Sequence, residues 1–174
     1  KNTLSSVKAE EAEYIGAVIS NFSNLIQQFP LGNIAINLEI AITGYEIAMT
    51  IVTFDVFPQW VNTRLNLALA YSDRIRGDKA ENLEKAIATY QEALKVYTFD
   101  AFPQDWARTQ NNLACAYSDR IRGDEAENLE RAIAYYQEAL KVRTFDAFPH
   151  DWAMTQNSLA NAYSDRIRGE KADN

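Results

Sequence analysis

The sequence predicts an all-α protein, a superhelical solenoid of antiparallel helix–turn–helix hairpins. Three observations predict it. Residues 78–123 and 124–169 align without a gap and match at 38 of 46 positions. The motif Tyr-Ser-Asp-Arg-Ile-Arg-Gly recurs at 71–77, 117–123 and 163–169. Apolar residues follow the 3.6-residue helical period, and no strand-like alternation is present. Self-similarity at a fixed period of a few tens of residues is the mark of a stacked array, and such arrays use their extended surfaces for binding.

Residues 4–29 read as one helix, ended near Pro30 and Gly32. Residues 33–52 read as its partner, so that 1–57 form a divergent N-terminal hairpin. The most apolar run, 34–52, contains Glu39 and Glu46. Two carboxylates in mid-helix argue against a membrane span, and the run is expected to be buried between neighbouring helices. From 58 onward the chain divides into units 58–103, 104–148 and a truncated 149–174. Pro58, Pro103 and Pro149 open the first helix of each unit, and Gly77, Gly123 and Gly169 end it. Proline gives up an N–H that a helix start leaves unpaired, and glycine tolerates the left-handed exit. The first helix of the middle unit is expected from about Pro103 to Arg122, with Trp106, Leu113, Ala114 and Tyr117 inward. Asp78-Lys79-Ala80-Glu81 and Asp124-Glu125-Ala126-Glu127 have capping-box spacing and start a second helix. Its stripe is Leu83, Ala86, Ile87, Tyr90, Ala93 and Leu94, repeated as Leu129, Ala132, Ile133, Tyr136, Ala139 and Leu140.

Leu113-Ala114-x-x-Tyr117 followed by Ala132-x-x-x-Tyr136-x-x-Ala139 resembles the core of the tetratricopeptide repeat, whose unit is normally about 34 residues. Here two gaps are longer, Tyr117 to Ala132 at 15 residues and Ala139 to Leu159 at 20. The family's tryptophan position near the leucine holds Gln110, and tryptophan stands instead at the helix starts as Trp60, Trp106 and Trp152. The resemblance spans roughly 58–169, with 33–57 matching the second-helix half. The chain also looks like the long-loop arrays common in bacteria, cyanobacteria especially. The resemblance implies a right-handed superhelix with a concave groove that receives a protein or peptide.

Composition narrows the function. The net charge of −7 and pI of about 4.8 argue against nucleic acid, which would want a basic stripe, and against an anionic membrane. One cysteine, Cys115, and one histidine, His150, allow neither an internal disulfide nor a zinc cluster. No phosphate-binding glycine motif is present. The expectation is a cytoplasmic, non-enzymatic interaction scaffold with no cofactor and no metal. The other classes are a structural spacer or self-assembling array, and a regulatory domain of a larger enzyme. Asn174 falls one residue before the next expected leucine. That break in register predicts a longer natural array, and a final helix whose open face favours self-association.

The two near-identical units differ at eight positions. Four lie in or at the start of the first helix: Gln104/His150, Arg108/Met154, Asn112/Ser158 and Cys115/Asn161. Spacings of 4, 4 and 3 put them on one helical face. The resemblance places this face in the ligand groove. The candidate partner-binding residues are therefore Asn62, Asn66, Leu69, Arg108, Asn111, Asn112, Cys115, Met154, Asn157, Ser158 and Asn161. The Phe-rich loops Thr98–Pro103 and Thr144–Pro149 are expected to fill satellite cores. The Asp-Arg-Ile-Arg copies are expected to serve ion pairing and capping.

Overall fold

A computed structural model describes residues 2–51 and 59–172, with side chains at 11–51 and 60–166. The described residues form seven α-helices and no strand: α1 (Asn2–Gln27), α2 (Ile34–Ile51), α3 (Gln59–Asp73), α4 (Lys79–Leu94), α5 (Pro103–Ser118), α6 (Glu125–Leu140) and α7 (Pro149–Ala172). Contacts group the chain into two compact units, Lys1–Asn82 and Leu83–Asn174. Within each compact unit consecutive helices pack together, α1 on α2 and α2 on α3, then α5 on α6 and α6 on α7, in keeping with the expected all-helical fold of hairpins.

In the first unit α1 packs along α2, and α3 packs on both. The close approach of α1 and α2 is set by Gly44, where an added Cβ would lie 2.0 Å from the Ser23 hydroxyl oxygen. Leu38, Ala41, Ile42, Tyr45 and Ala48 form the buried stripe of α2. The expectation that 34–52 is buried between neighbours holds on one side only. Ile36, Ile40 and Ile47 are 44%, 46% and 46% exposed on the other. This helix is long and apolar enough to cross a membrane by length and composition. Here both its carboxylates are engaged: Glu39 receives Arg74, just past the end of α3, through two bonds of 2.8 and 2.6 Å, and Glu46 accepts from the Tyr71 hydroxyl of α3.

In the second unit α5 pairs with α6, and α7 packs on α6 and touches α5. Leu113, Leu129, Tyr136 and Ala114 are buried in the core. Fully burying each large apolar side chain stabilises by about 1.5–3 kcal/mol. The α6 start is capped as its spacing predicts, the Asp124 carboxylate accepting from Glu127 N at 2.8 Å. Asp78 caps α4 in the same way at 2.7 Å.

Two boundaries differ from expectation. α5 ends at Ser118, short of Arg122, because the chain must turn early to reach Gly123 at φ +86°. The turn is held by the Asn128 amide donating to Arg122 O at 2.9 Å, as Asn82 donates to Arg76 O around Gly77. At Gly169 the backbone does not turn, and α7 continues to Ala172. Continued helical bonding pairs the backbone N–H and C=O groups there locally.

The Arg motif forms pairs between consecutive elements. Arg74 reaches Glu39, Arg120 reaches Glu84 at 2.7 and 2.9 Å, and Arg166 reaches Glu130 at 2.8 Å. Each arginine therefore pairs with a glutamate of the preceding second helix. The arginines thus serve the ion pairing expected of the motif, and for Arg74 and Arg120 the guanidinium fork meets the glutamate carboxylate across the helix gap through two bonds.

Candidate interaction face

The α5 and α7 helices expose the stripe on which two near-identical units differ. Arg108 is exposed at one end of α5, and Asn111, Asn112 and Cys115 are half-buried along it. On α7, Met154 is 56% exposed, Asn157 and Asn161 are exposed and Ser158 is half-buried. In the first unit, α3 carries Asn62 and Leu69 exposed and Asn66 half-buried, with spacings that keep them on one side of the helix.

Two cavities open in the second unit. One, of about 280 Å³, is lined by Cys115, Ser118 and Asp119 of α5 with its cap, Tyr136 of α6, and Ser158, Asn161, Ala162 and Asp165 of α7. It brings together three of the expected residues, Cys115, Ser158 and Asn161. The Tyr136 hydroxyl donates to Cys115 Sγ at 3.3 Å. Burial pushes the Cys115 thiol up from its ordinary value, so it is held as neutral thiol and is poorly suited to act as a nucleophile. Burial likewise raises Tyr136. The wall facing α7 is thus a set of uncharged hydrogen-bonding groups, with Asp119 and Asp165 at the rim.

The second cavity, about 190 Å³, is lined by Gln104, Asp105, Ala107, Arg108, Val142, Arg143, Phe148 and Asp151. Arg108 is held by Asp105 at 2.9 Å. Arg143 stands where the preceding unit has Tyr97, a tyrosine only 1% exposed that packs edge-on against Phe102 at 5.5 Å. Burial pulls the Arg143 pKa down, with Asp151 opposing. Its guanidinium donates to Thr155 Oγ1 at 3.1 Å, and that hydroxyl donates to Asn111 Oδ1 at 2.9 Å. Asn111 is therefore engaged in joining α5 to α7. Asn112, Met154 and Asn157 line neither cavity. Gln110, which stands at the family's tryptophan position, is buried.

Sequence reasoning missed Arg143, Ser118, Asp119 and Asp165. Arg143 had a signal, since 97/143 is among the eight differing positions. The others belong to the invariant motif and gave none. The aromatic loops form the expected satellite packing in part: Phe99 meets Trp106 edge-on at 5.1 Å and Phe145 meets Trp152 at 5.4 Å, yet Phe99 and Phe145 stay 47% and 63% exposed. The version at Thr53–Trp60, one residue shorter in total, lies outside the described residues as far as Pro58. No group of three or more metal-ligating side chains occurs among the described residues.

A tetratricopeptide-repeat family model matches residues 60–100 and 106–146. The first match spans α3 and α4 and the second spans α5 and α6. No curated protein matches the chain.

Proposed function

We propose that this chain, a member of the tetratricopeptide-repeat family, holds a protein or peptide partner against the stripe formed by α5 and α7. Repeats of this family generally mediate protein–protein interaction. One observation carries the finer reading. Six residues at positions where two otherwise matching units differ line the two cavities: Gln104, Arg108 and Arg143 at one, Cys115, Ser158 and Asn161 at the other, with Asn112 and Met154 on the same face outside them. The helices present this stripe already ordered, so binding does not bear the cost of arranging it. The groups on offer are hydroxyl, amide, thiol and guanidinium, which suits a polar segment over a greasy one. No titratable pair in the stripe is arranged as nucleophile and base, and the family is typically non-catalytic.

The test exchanges one unit's stripe for the other's. A random peptide display library is panned against the full chain, and an enriched peptide is measured on wild type and on the triple variant Met154→Arg, Ser158→Asn, Asn161→Cys. Each new residue already occupies the equivalent place in α5, so folding is expected to survive. The expected result is at least a tenfold weaker Kd, equivalent to about 1.4 kcal/mol, with an unchanged circular dichroism spectrum. Unchanged affinity, or no enriched peptide at all, overturns the reading.

A further inference from the structure

The N-terminal hairpin carries an apolar surface that the repeats lack at the same place. Aligning Leu38 with Leu83 and Leu129 sets Ile36 opposite Glu81 and Glu127, Ile40 opposite Lys85 and Arg131, and Ile47 opposite Glu92 and Glu138. Five of the six repeat positions are exposed, and Glu138 is half-buried. The exposed flank of a second helix is thus charged in α4 and α6, and isoleucine in α2. A surface isoleucine by itself means little. Three at positions that otherwise carry charge form a ridge built to be covered.

The opposing helix continues the surface. Ile15, Ile19, Phe22 and Ile26 are spaced 4, 3 and 4 along α1, and Ile36, Ile40, Thr43 and Ile47 have the same spacing along α2. Ile15 and Phe22 are 50% and 55% exposed, and Val18 and Leu25 beside them are 48% and 67% exposed. Between the ridges lies an apolar groove of about 460 Å³, floored by Ser23 and Gly44 and walled by Phe22, Ile40 and Ile47. Alternating steps of three and four are the period of helices that pack side by side in bundles.

We propose that this face binds a second copy of the same chain, the two hairpins closing as a two-fold four-helix bundle. Three features select that occupant. Ridge, groove and ridge are self-complementary: under a two-fold axis the ridge of one copy enters the groove of the other, as an isologous contact requires. The exposed halves of these side chains sum to roughly 700 Å², close to the ~800 Å² that each partner buries in an interface of standard size. Electrostatics points the same way. Two copies of a chain with net charge −7 repel one another, and the approach least opposed is through a patch without charge. Between Tyr14 and Leu25 the described face of α1 has no ionisable carboxylate or cation, and Glu39 at the groove edge is neutralised by Arg74. The contact lies on α1 and α2 and is separate from the stripe on α5 and α7.

The experiment is sedimentation velocity of the full chain across a concentration series, with the variant Ile36→Glu, Ile40→Lys, Ile47→Glu. These substitutions install the residues that α4 carries at the same positions, so the helix tolerates them. The expected result is a species of twice the 19.7 kDa chain mass for wild type, and a monomer with unchanged helicity for the variant at the same concentrations. A second measurement is independent of that variant's folding: Ile40→Cys in a Cys115→Ala background should give an oxidised cross-linked dimer, and Asp100→Cys in the same background should not. A monomeric wild type overturns the proposal. So does a dimer that survives the charged triple variant, or flotation of wild type with neutral phosphatidylcholine vesicles, which would make the face a lipid-binding surface.

Discussion

Gly44 shows how much of this fold turns on a single missing methyl group. Ser23 is fully buried and donates its hydroxyl to Ile19 O at 2.8 Å, so it sits against the α2 backbone where a Cβ would have to go. The equivalent positions in the repeats hold Thr89 and Tyr135. Gly44→Ala is expected to destabilise by about 1–3 kcal/mol, the usual cost of overpacking, read as a lower urea midpoint. Adding Ser23→Ala should recover most of the loss, and a double variant no better than the single would place the strain elsewhere. Tyr97 and Arg143 make the complementary point. One repeat position is a core tyrosine whose hydroxyl burial pushes up to about 12. The next unit reads it as a half-buried cation that organises a cavity. Residue type at a matched position does not by itself say whether the position belongs to the core or to the surface.

At the scale of the element, the links between helices are polar and recurrent. Hydrogen bonding to Arg74 holds the Glu39 carboxyl below its ordinary value, and Arg120 does the same for Glu84, both against a smaller opposing effect of desolvation. A carboxylate whose folded pKa is depressed contributes stability that is complete above the unfolded value and is lost as pH falls through the folded one. The loss should therefore begin near the reference value of 4.5 and grow below it. The pairs are partly solvent-screened, with side chains 23–28% exposed, so the two together are expected to contribute roughly 1 kcal/mol. Urea midpoints at pH 7 and pH 3 should converge for wild type and Glu39→Gln/Glu84→Gln as the acid is added. Parallel pH curves would show that the pairs carry no net stability. Asn82 and Asn128, 2% and 4% exposed, complete the same joint by tying the glycine turn to the next helix.

At the scale of the whole molecule the acidic balance and the apolar hairpin work against each other. Lowering salt lengthens the Debye length from about 8 Å at 0.15 M to about 30 Å at 0.01 M, so like-charged copies should associate more weakly at low salt. Dimerisation through α1 and α2 is expected to tighten as salt rises, checked by sedimentation equilibrium, and weakening with salt would point to a contact made of opposite charges. Sequence periodicity reached far here. The repeat, the capping aspartates, Gly77 and Gly123 and the buried stripes Leu83–Ala93 and Leu129–Ala139 all follow from local rules of helix start, stop and phase, and each is legible without neighbours. The α5 end was misplaced because a helix can be continued by residues that tertiary contacts instead recruit, as Asn128 recruits Arg122 O. Four of the eight differing positions were recognisable as one face, since that needs only helical phase. The cavity at Arg143 was not, because α5, α7 and the loop that leads into α7 meet there across sequence gaps that no period spans. The amino-acid sequence by itself determined the class of fold, its helical phase and the family. Only the tertiary structure decided which Glu each Arg pairs with, which differing residues share a cavity and that the isoleucines of α2 stay uncovered, because those depend on what packs beside a helix and not on the helix alone.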